Sequence, residues 1–126
     1  MPREQARSAA NQCVEVLRKN PDDIAAREKF ARLLAESLDE TDDGIEQLEL
    51  LIAMGGQQPA KRAEWLILVA GWHARLRDNV DAARLVYQEV MRDFPETPHA
   101  SEAQRRLNLL NLQARFRQRS GARAAV

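Results

Sequence analysis

Apolar residues recur along most of the chain with the period of an amphipathic α-helix. One clear stripe consists of Ile24, Ala26, Phe30, Ala31, Leu33, Leu34 and Leu38. A spacing near 3.6 residues places such side chains on one side of a helix. No segment alternates polar and apolar residues as a half-buried strand does. The short apolar run WLILVAGW, residues 65–72, has helical flanks, so the pattern predicts an all-α fold.

Proline, glycine and capping residues divide this pattern into six predicted helices. Asn20 precedes Pro21 and ends the first helix, because a residue before proline disfavours the helical conformation. The predicted helices span residues 3–19, 22–38, 44–54, 60–76, 80–93 and 97–117. The expected caps are Asp22 or Asp23 for the second helix and Thr41, Asp42 and Asp43 for the third. Residues 120–126 are expected to form a disordered tail.

The predicted connections are short, which favours antiparallel neighbours and hence stacked helical hairpins. The chain has 126 residues, enough for one domain with a real core, which we expect to span residues 1–119. Its low aromatic content, 5%, suits helices better than strands.

The second half of the chain carries the pattern of a helical repeat of about 34 residues. Gly71, Ala83, Tyr87 and Pro95 occupy the small, small, aromatic and proline positions of the tetratricopeptide repeat (TPR). The chain resembles a bacterial TPR protein, most clearly over residues 64–112. A generic solenoid of helical hairpins is the alternative.

The resemblance implies a right-handed solenoid of about six antiparallel helices. It divides the chain into a half-repeat at 3–21, repeats at 22–58 and 60–95, and a terminal helix at 97–118. In this register Gly71 and Ala83 let two helices approach closely, and Tyr87 belongs to the core. Ile67, Ala70 and Ala74 depart from the large residues usual in the family.

The segment FPETPHASEAQRRLNLL, residues 94–110, is similar to variant repeats of bacterial envelope-assembly proteins. No apolar run approaches the length of a membrane span, and no apolar segment typical of a signal peptide follows the first residues. The expected location is the cytoplasm, or a soluble domain of a larger bacterial envelope protein whose leader is absent here.

In a TPR array the first helix of each hairpin lines a concave face that holds partners. The resemblance therefore implies a non-catalytic protein-interaction scaffold that binds a partner peptide or helix. The implied partner-binding residues are Glu28, Arg32, Trp65, Leu68, Trp72, Arg75 and Arg106. The family's clamp of paired lysines and asparagines for a terminal carboxylate is not evident, although Arg32, Arg75 and Arg106 could replace it for an acidic peptide.

The tryptophans have a second interpretation, in which the sixth helix covers them with Leu109, Leu112 and Phe116. We expect Trp72 to be packed and Trp65 to be exposed, because Trp65 lies nearer the start of its helix. An exposed tryptophan would be a strong candidate for a binding hot spot.

The sequence offers little catalytic chemistry. His73 and His99 lack neighbours at metal-ligand spacing, and no phosphate-binding glycine motif is present. Cys13 is the single cysteine, and its apolar helical stripe favours a buried, inert thiol. We therefore expect no enzyme activity, no cofactor and no metal.

The formal net charge of zero conceals two charged blocks. Residues 22–49 hold ten acids and three bases, a net −7, and residues 103–126 hold six arginines and no acid, a net +6. Solvated helix faces are one interpretation. Charge-steered contact with a partner, or between two copies head to tail, is another. Contact between copies would make the chain a homo-oligomerisation module through its end helices. A third is an adaptor in which the C-terminal arginines bind nucleic acid or an anionic membrane, although the acidic block makes both partners less favoured.

Overall fold

The computed structural model describes residues 1–125, and the side chains of residues 1–120; this part of the chain is helical and contains no strand. Its six α-helices are α1 (Arg3–Lys19), α2 (Ile24–Arg32), α3 (Thr41–Ala53), α4 (Pro59–Leu76), α5 (Val80–Asp93) and α6 (Pro98–Ala125). A π-helical turn, Leu33–Ser37, continues α2. The predicted all-α fold class is confirmed.

Each helix packs against the next along the chain, and α4 also contacts α6. The connecting segments are residues 20–23, 38–40, 54–58, 77–79 and 94–97. Helices that pack together across such short connections run antiparallel. The chain is therefore a row of helices in which α2/α3 and α4/α5 form hairpins, with α1 and α6 at the two ends.

Three clusters of buried apolar side chains follow one another along this row. The α1–α2 cluster comprises Ala6, Ala10, Cys13, Leu33, Leu34 and Leu38. The α2–α4 cluster comprises Ala31, Ala35, Ile45, Leu48, Leu51, Trp65, Val69 and Trp72. The α4–α6 cluster comprises Leu66, Ile67, Ala70, Ala83, Tyr87, Val90, Ala103 and Leu107. The predicted burial of Cys13, Ala83 and Tyr87 is confirmed. α2 with its π-helical turn contributes to the first two clusters, and α4 contributes to the last two.

Side-chain caps fix the start of three helices. Asp23, Asn79 and Thr97 each accept a hydrogen bond from the backbone N–H three residues further on, at 2.9, 3.1 and 3.1 Å. Each bond satisfies a donor that the first helical turn leaves without a partner. Of the two caps predicted for the second helix, Asp23 is therefore the one that acts.

The third helix begins earlier than predicted and without a side-chain cap. Thr41 is its first residue, and the N-cap position belongs to Glu40. The predicted capping role of Thr41, Asp42 and Asp43 was therefore wrong. Asp42 instead pairs with Arg77 at the end of α4, with 2.9 Å between Oδ1 and Nε.

The end of α2 also differs from the prediction of a regular α-helix to residue 38. Leu33, Leu34 and Ala35 are consecutive and all buried. An α-helix turns by about 100° per residue, so three consecutive side chains cannot share one narrow face. In the wider π-helical turn, Leu33 and Leu34 reach the α1–α2 cluster while Ala35 reaches the α2–α4 cluster.

Gly44, and not Gly71, lies where two helices approach closely. A Cβ atom at Gly44 would lie 2.8 Å from the carbonyl oxygen of Ala31 and 2.9 Å from the Cβ of Ala35. A Cβ atom at Gly71 would meet nothing nearer than the Arg75 guanidinium at 3.6 Å. The prediction for Gly71 was wrong because this residue faces an open groove and not the hairpin partner.

The last helix is longer than predicted, since its backbone continues past Arg117 to Ala125. A disordered tail was predicted at residues 120–126. The structure describes only the backbone of residues 121–125, and Val126 lies outside the described residues. That tail and the domain limits at residues 1–119 stay predictions.

Candidate functional site: a groove across alternate helices

The three faces of α4 decide which of its side chains can meet a partner. One face, Trp65, Val69 and Trp72, belongs to the α2–α4 cluster, and another, Leu66, Ile67 and Ala70, belongs to the α4–α6 cluster. The third face carries Glu64, Leu68, Gly71 and Arg75 at positions i, i+4, i+7 and i+11. This third face opens onto a groove.

The groove crosses α2, α4 and α6, every second helix of the row. The first of these helices contributes Arg32, and the last contributes His99, Glu102 and Arg106. Leu68 and Gly71 of α4 lie between them. Gly71 has no side chain, so the guanidinium of Arg75 lies directly over the backbone of α4.

The three arginines of the groove differ in their partners. The Arg32 guanidinium lies 3.5 Å from the Glu28 carboxylate, and that of Arg106 lies 3.0 Å from the Glu102 carboxylate. Among the residues whose side chains the structure describes, Arg75 has no carboxylate within 4 Å. Arg75 therefore supplies a positive charge that the groove itself does not neutralise.

Tyr87 of α5 lies in the α4–α6 cluster near two arginines of the groove, although it does not itself line the groove. Its side chain is buried, and burial raises the pKa of the phenol above its ordinary value, although the guanidinium groups of Arg106 and Arg75 act in the opposite direction. Both arginines thus lie near a phenol that is neutral at physiological pH. A neutral phenol at this position does not neutralise the charge of Arg75.

The size of the groove limits what it can hold. Its volume is about 270 Å³, slightly below the roughly 300–1,000 Å³ of sites that enclose a small molecule or cofactor. An extended peptide needs room for only a few side chains at a time, because the rest of its length remains in solvent. A groove of this volume is sufficient for a short stretch of an extended peptide.

The structure brings together Arg32, Leu68, Arg75 and Arg106 of the sequence-predicted binding residues. Glu28 lies beside the groove on α2, where its carboxylate pairs with Arg32 and, at 3.5 Å, with Lys61. Glu28 therefore orients a groove arginine.

Trp65 and Trp72 do not reach the groove, because both side chains are fully buried in the α2–α4 cluster. The predicted exposure of Trp65 was wrong, and the predicted packing of Trp72 is confirmed. The predicted cover was wrong, since Leu109, Leu112 and Phe116 are exposed. Residues of α2 and α3 cover the tryptophans instead.

The sequence contained a signal for the correct face of α4. The apolar stripe that includes the two tryptophans and the groove stripe lie side by side on this helix. Glu64 and Arg75 are charged, and Gly71 lies between them on the same face. A face that begins and ends with charged residues is typical of a solvent-facing surface, so Glu64 and Gly71 could have been assigned to it.

The described residues contain no group of three or more histidine, cysteine, aspartate or glutamate side chains that could hold a metal ion. Burial raises the pKa of the Cys13 thiol, which disfavours the reactive thiolate. None of the described helices is both long and apolar enough to cross a membrane.

Comparison with known proteins adds no family to this description. No protein-family model, no curated protein and no solved structure matches the chain.

Proposed function

We propose that the chain is a TPR-like helical-repeat scaffold that binds an extended acidic peptide in the groove across α2, α4 and α6. The function is non-catalytic: the peptide is held and not altered. The observation that carries the proposal is the position of Arg75, a groove-lining guanidinium without a carboxylate partner among the described side chains.

The arrangement of the helices supports a repeat architecture. Sequential helices pack on each other, and α4 and α6 are first helices of successive units that also touch. In helical-repeat proteins such first helices line one continuous surface, which these proteins use for binding. The groove lies on that surface, and the second helices α3 and α5 lie behind it.

The chemistry of the groove favours a carboxylate beside an apolar side chain. A guanidinium presents paired N–H donors that match a carboxylate, and the interaction strengthens where solvent is partly excluded. Leu68 is partly buried at the same surface and offers apolar contact. A peptide with an aspartate or glutamate near a leucine-sized residue would satisfy both features.

The proposal is tested by selection from a library of short random peptides displayed on phage. We expect selected sequences to be enriched in aspartate and glutamate for the wild-type chain. For Arg75→Glu, the enrichment should change to lysine and arginine, because the variant reverses the groove charge that has no internal partner among the described side chains.

Arg62→Glu is the matched control, since Arg62 is exposed on α4 and does not line the groove. Its selected peptides should be the same as those of the wild type. If Arg75→Glu selects the same peptides as the wild type, or if no peptide is enriched by the wild type, the proposed function is incorrect.

A further inference from the structure

The outer face of α6 carries large apolar side chains that no part of the described structure covers. Leu109, Leu112 and Phe116 are 53%, 55% and 69% exposed. They lie at positions i, i+3 and i+7, on the side of the helix opposite Ala103 and Leu107 of the α4–α6 cluster. A contiguous apolar stripe of this kind on a surface helix indicates a contact surface.

Arginines surround this stripe. Arg105 and Arg119 lie on the same outer face, and Arg115 lies at its edge, where α6 meets α5. None of the three has a carboxylate within 4 Å among the described side chains. The other two arginines of this stretch are occupied, since Arg106 pairs with Glu102 and Arg117 pairs with Asp78. The face therefore combines apolar contact with uncompensated positive charge, and two copies of it would repel each other.

A second face of the same molecule has the opposite character. The acids of the loop before α3 and of its first turn are largely used internally: Asp39, Glu40 and Asp42 pair with arginines of α1 and α4. Among the described side chains, the acids further along α3 have no such partners.

On the outer side of α3, Asp43, Glu46 and Glu49 have no cationic partner within 4 Å among the described side chains. Leu50, 46% exposed, lies among them, and Ala53 continues the same side. This face is thus an acidic counterpart to the basic face of α6, with an exposed leucine in place of the apolar stripe.

The two faces are also compatible in length. Residues 43–53 of α3 extend over roughly 15 Å of helix and residues 105–119 of α6 over roughly 21 Å, so the α6 face is long enough to cover the whole α3 face. Both faces point away from the clusters that hold their own helices in place, so they cannot pair within one molecule.

We propose that copies of this chain associate head to tail, with the outer face of α6 of one copy packed on the outer face of α3 of the next. The occupant of the α6 face is a second copy because the charge on α3 is complementary to it, whereas a second α6 face would bring arginines together. Each copy uses two different faces, so the contact repeats into an open chain or a closed ring. This inference does not depend on peptide binding in the groove.

The test uses two variants, each with one face disrupted. The α6 variant is Leu112→Ser/Phe116→Ser, and the α3 variant is Glu46→Lys/Glu49→Lys. Sedimentation velocity should show mass increasing with concentration for the wild type. Each variant alone should associate at least roughly tenfold more weakly than the wild type, and so stay monomeric at concentrations where the wild type associates.

An equal mixture of the two variants should form a one-to-one complex that stops at two copies. The α6 variant keeps an intact α3 face and the α3 variant keeps an intact α6 face, so only one productive contact exists. The two remaining faces both carry positive charge and repel. Pairing of like faces cannot produce this result, because one of the two variants would then associate with itself and the mixture would add no new contact.

Controls separate the contact from general surface effects. Leu85→Ser removes a leucine that is 68% exposed on α5, and Glu4→Lys/Glu96→Lys makes the same charge change outside α3; both should associate like the wild type. Arg115→Ala/Arg119→Ala removes positive charge from the α6 face without altering its apolar residues, and this variant should associate more weakly than the wild type. Circular dichroism melts identify variants that unfold.

Three outcomes overturn the proposal. The first is a wild-type chain that stays monomeric up to millimolar concentration, which would assign the α6 face to a different partner. The second is a mixture of the two variants that forms no complex. The third is self-association of the α6 variant alone to the extent seen for the wild type.

Discussion

At the scale of single residues, the roles of two glycines depend on what a Cβ atom at each position would meet. Gly44 and Gly71 are both buried within helices, and sequence alone assigned the close helix contact to Gly71. The repeat register located small residues correctly but could not determine which way each one faces. In α3 the small residue faces Ala31 and Ala35, whereas in α4 it faces the groove.

We therefore predict opposite effects for the same substitution at the two glycines. Gly44→Ala should lower the free energy of unfolding by about 1–3 kcal/mol, because backbone and Cβ atoms of α2 and its π-helical turn would have to move. Gly71→Ala should raise it by up to about 1 kcal/mol, since alanine favours the helix and the site has room. Chemical denaturation of both variants measures the difference. Equal destabilisation would contradict the assignment of the two faces.

The tryptophans are a second case at this scale. Neither indole N–H has an acceptor among the described residues, so their contribution is packing and not hydrogen bonding. Trp72→Ala should cost about 3–5 kcal/mol of stability, the range for deleting a large core side chain. Both tryptophans should also be poorly quenched by iodide in the native protein. The Trp72→Ala variant retains only Trp65. Strong quenching of this variant, with circular dichroism showing that it is folded, would contradict the buried position of Trp65.

At the scale of elements, the helix limits were largely predictable, and the departures have local causes. α1, α4 and α5 start and end within a residue of their predicted limits, because proline, Asn79 and apolar periodicity mark them clearly. The π-helical turn was not predictable from a 3.6-residue pattern, since its side chains pack into two different clusters. The end of α2 instead depends on tertiary packing around Leu33 and Ala35.

Two helix ends use aspartate where glycine is normally favoured. Asp39 and Asp78 have φ values of 55° and 49°. The residues that follow them donate backbone hydrogen bonds of 2.8 Å to the carbonyl oxygens of Leu34 and His73, six residues back. This is one residue further than the closing bond of a Schellman motif, so both helix ends close over a wider, π-like turn. This left-handed conformation strains a residue that has a Cβ atom.

We predict that Asp78→Gly raises the free energy of unfolding by about 0.5–1 kcal/mol, because glycine removes the strain of the left-handed conformation. The lost ion pair with Arg117 is 3.5 Å long and highly exposed, so it offsets little of this gain. Asp81→Gly, in the first turn of α5, is the control and should lower stability through glycine's poor helix propensity. Thermal melts of both variants distinguish these effects, and a lower melting temperature for Asp78→Gly would contradict the capping argument.

At the scale of the whole molecule, sequence determined the architecture better than the site. Apolar periodicity was sufficient for six helices, since burial of one stripe per helix is a property of each segment by itself. The groove depends on how neighbouring helices rotate about their axes. A rotation of about 100°, one residue, exchanges the tryptophan face of α4 with the face of Glu64 and Arg75. The charged residues on the groove face of α4 were a better guide to the candidate site than the tryptophans of the same helix.

The linear order of the three clusters leads to a prediction about unfolding. α4 belongs to two clusters, whereas α1 contributes to a single cluster at one end of the row. In a row where each element contacts mainly its neighbours, local opening is easiest at the ends. Native-state hydrogen exchange should therefore show the greatest protection in α4 and the least in α1, apart from the C-terminal half of α6. Trp72→Ala should lower the protection of α2, α3 and α4 together, because that side chain joins all three. Equal protection of every helix in the wild type would mean that the chain opens only globally, and the row would then behave as one cooperative unit.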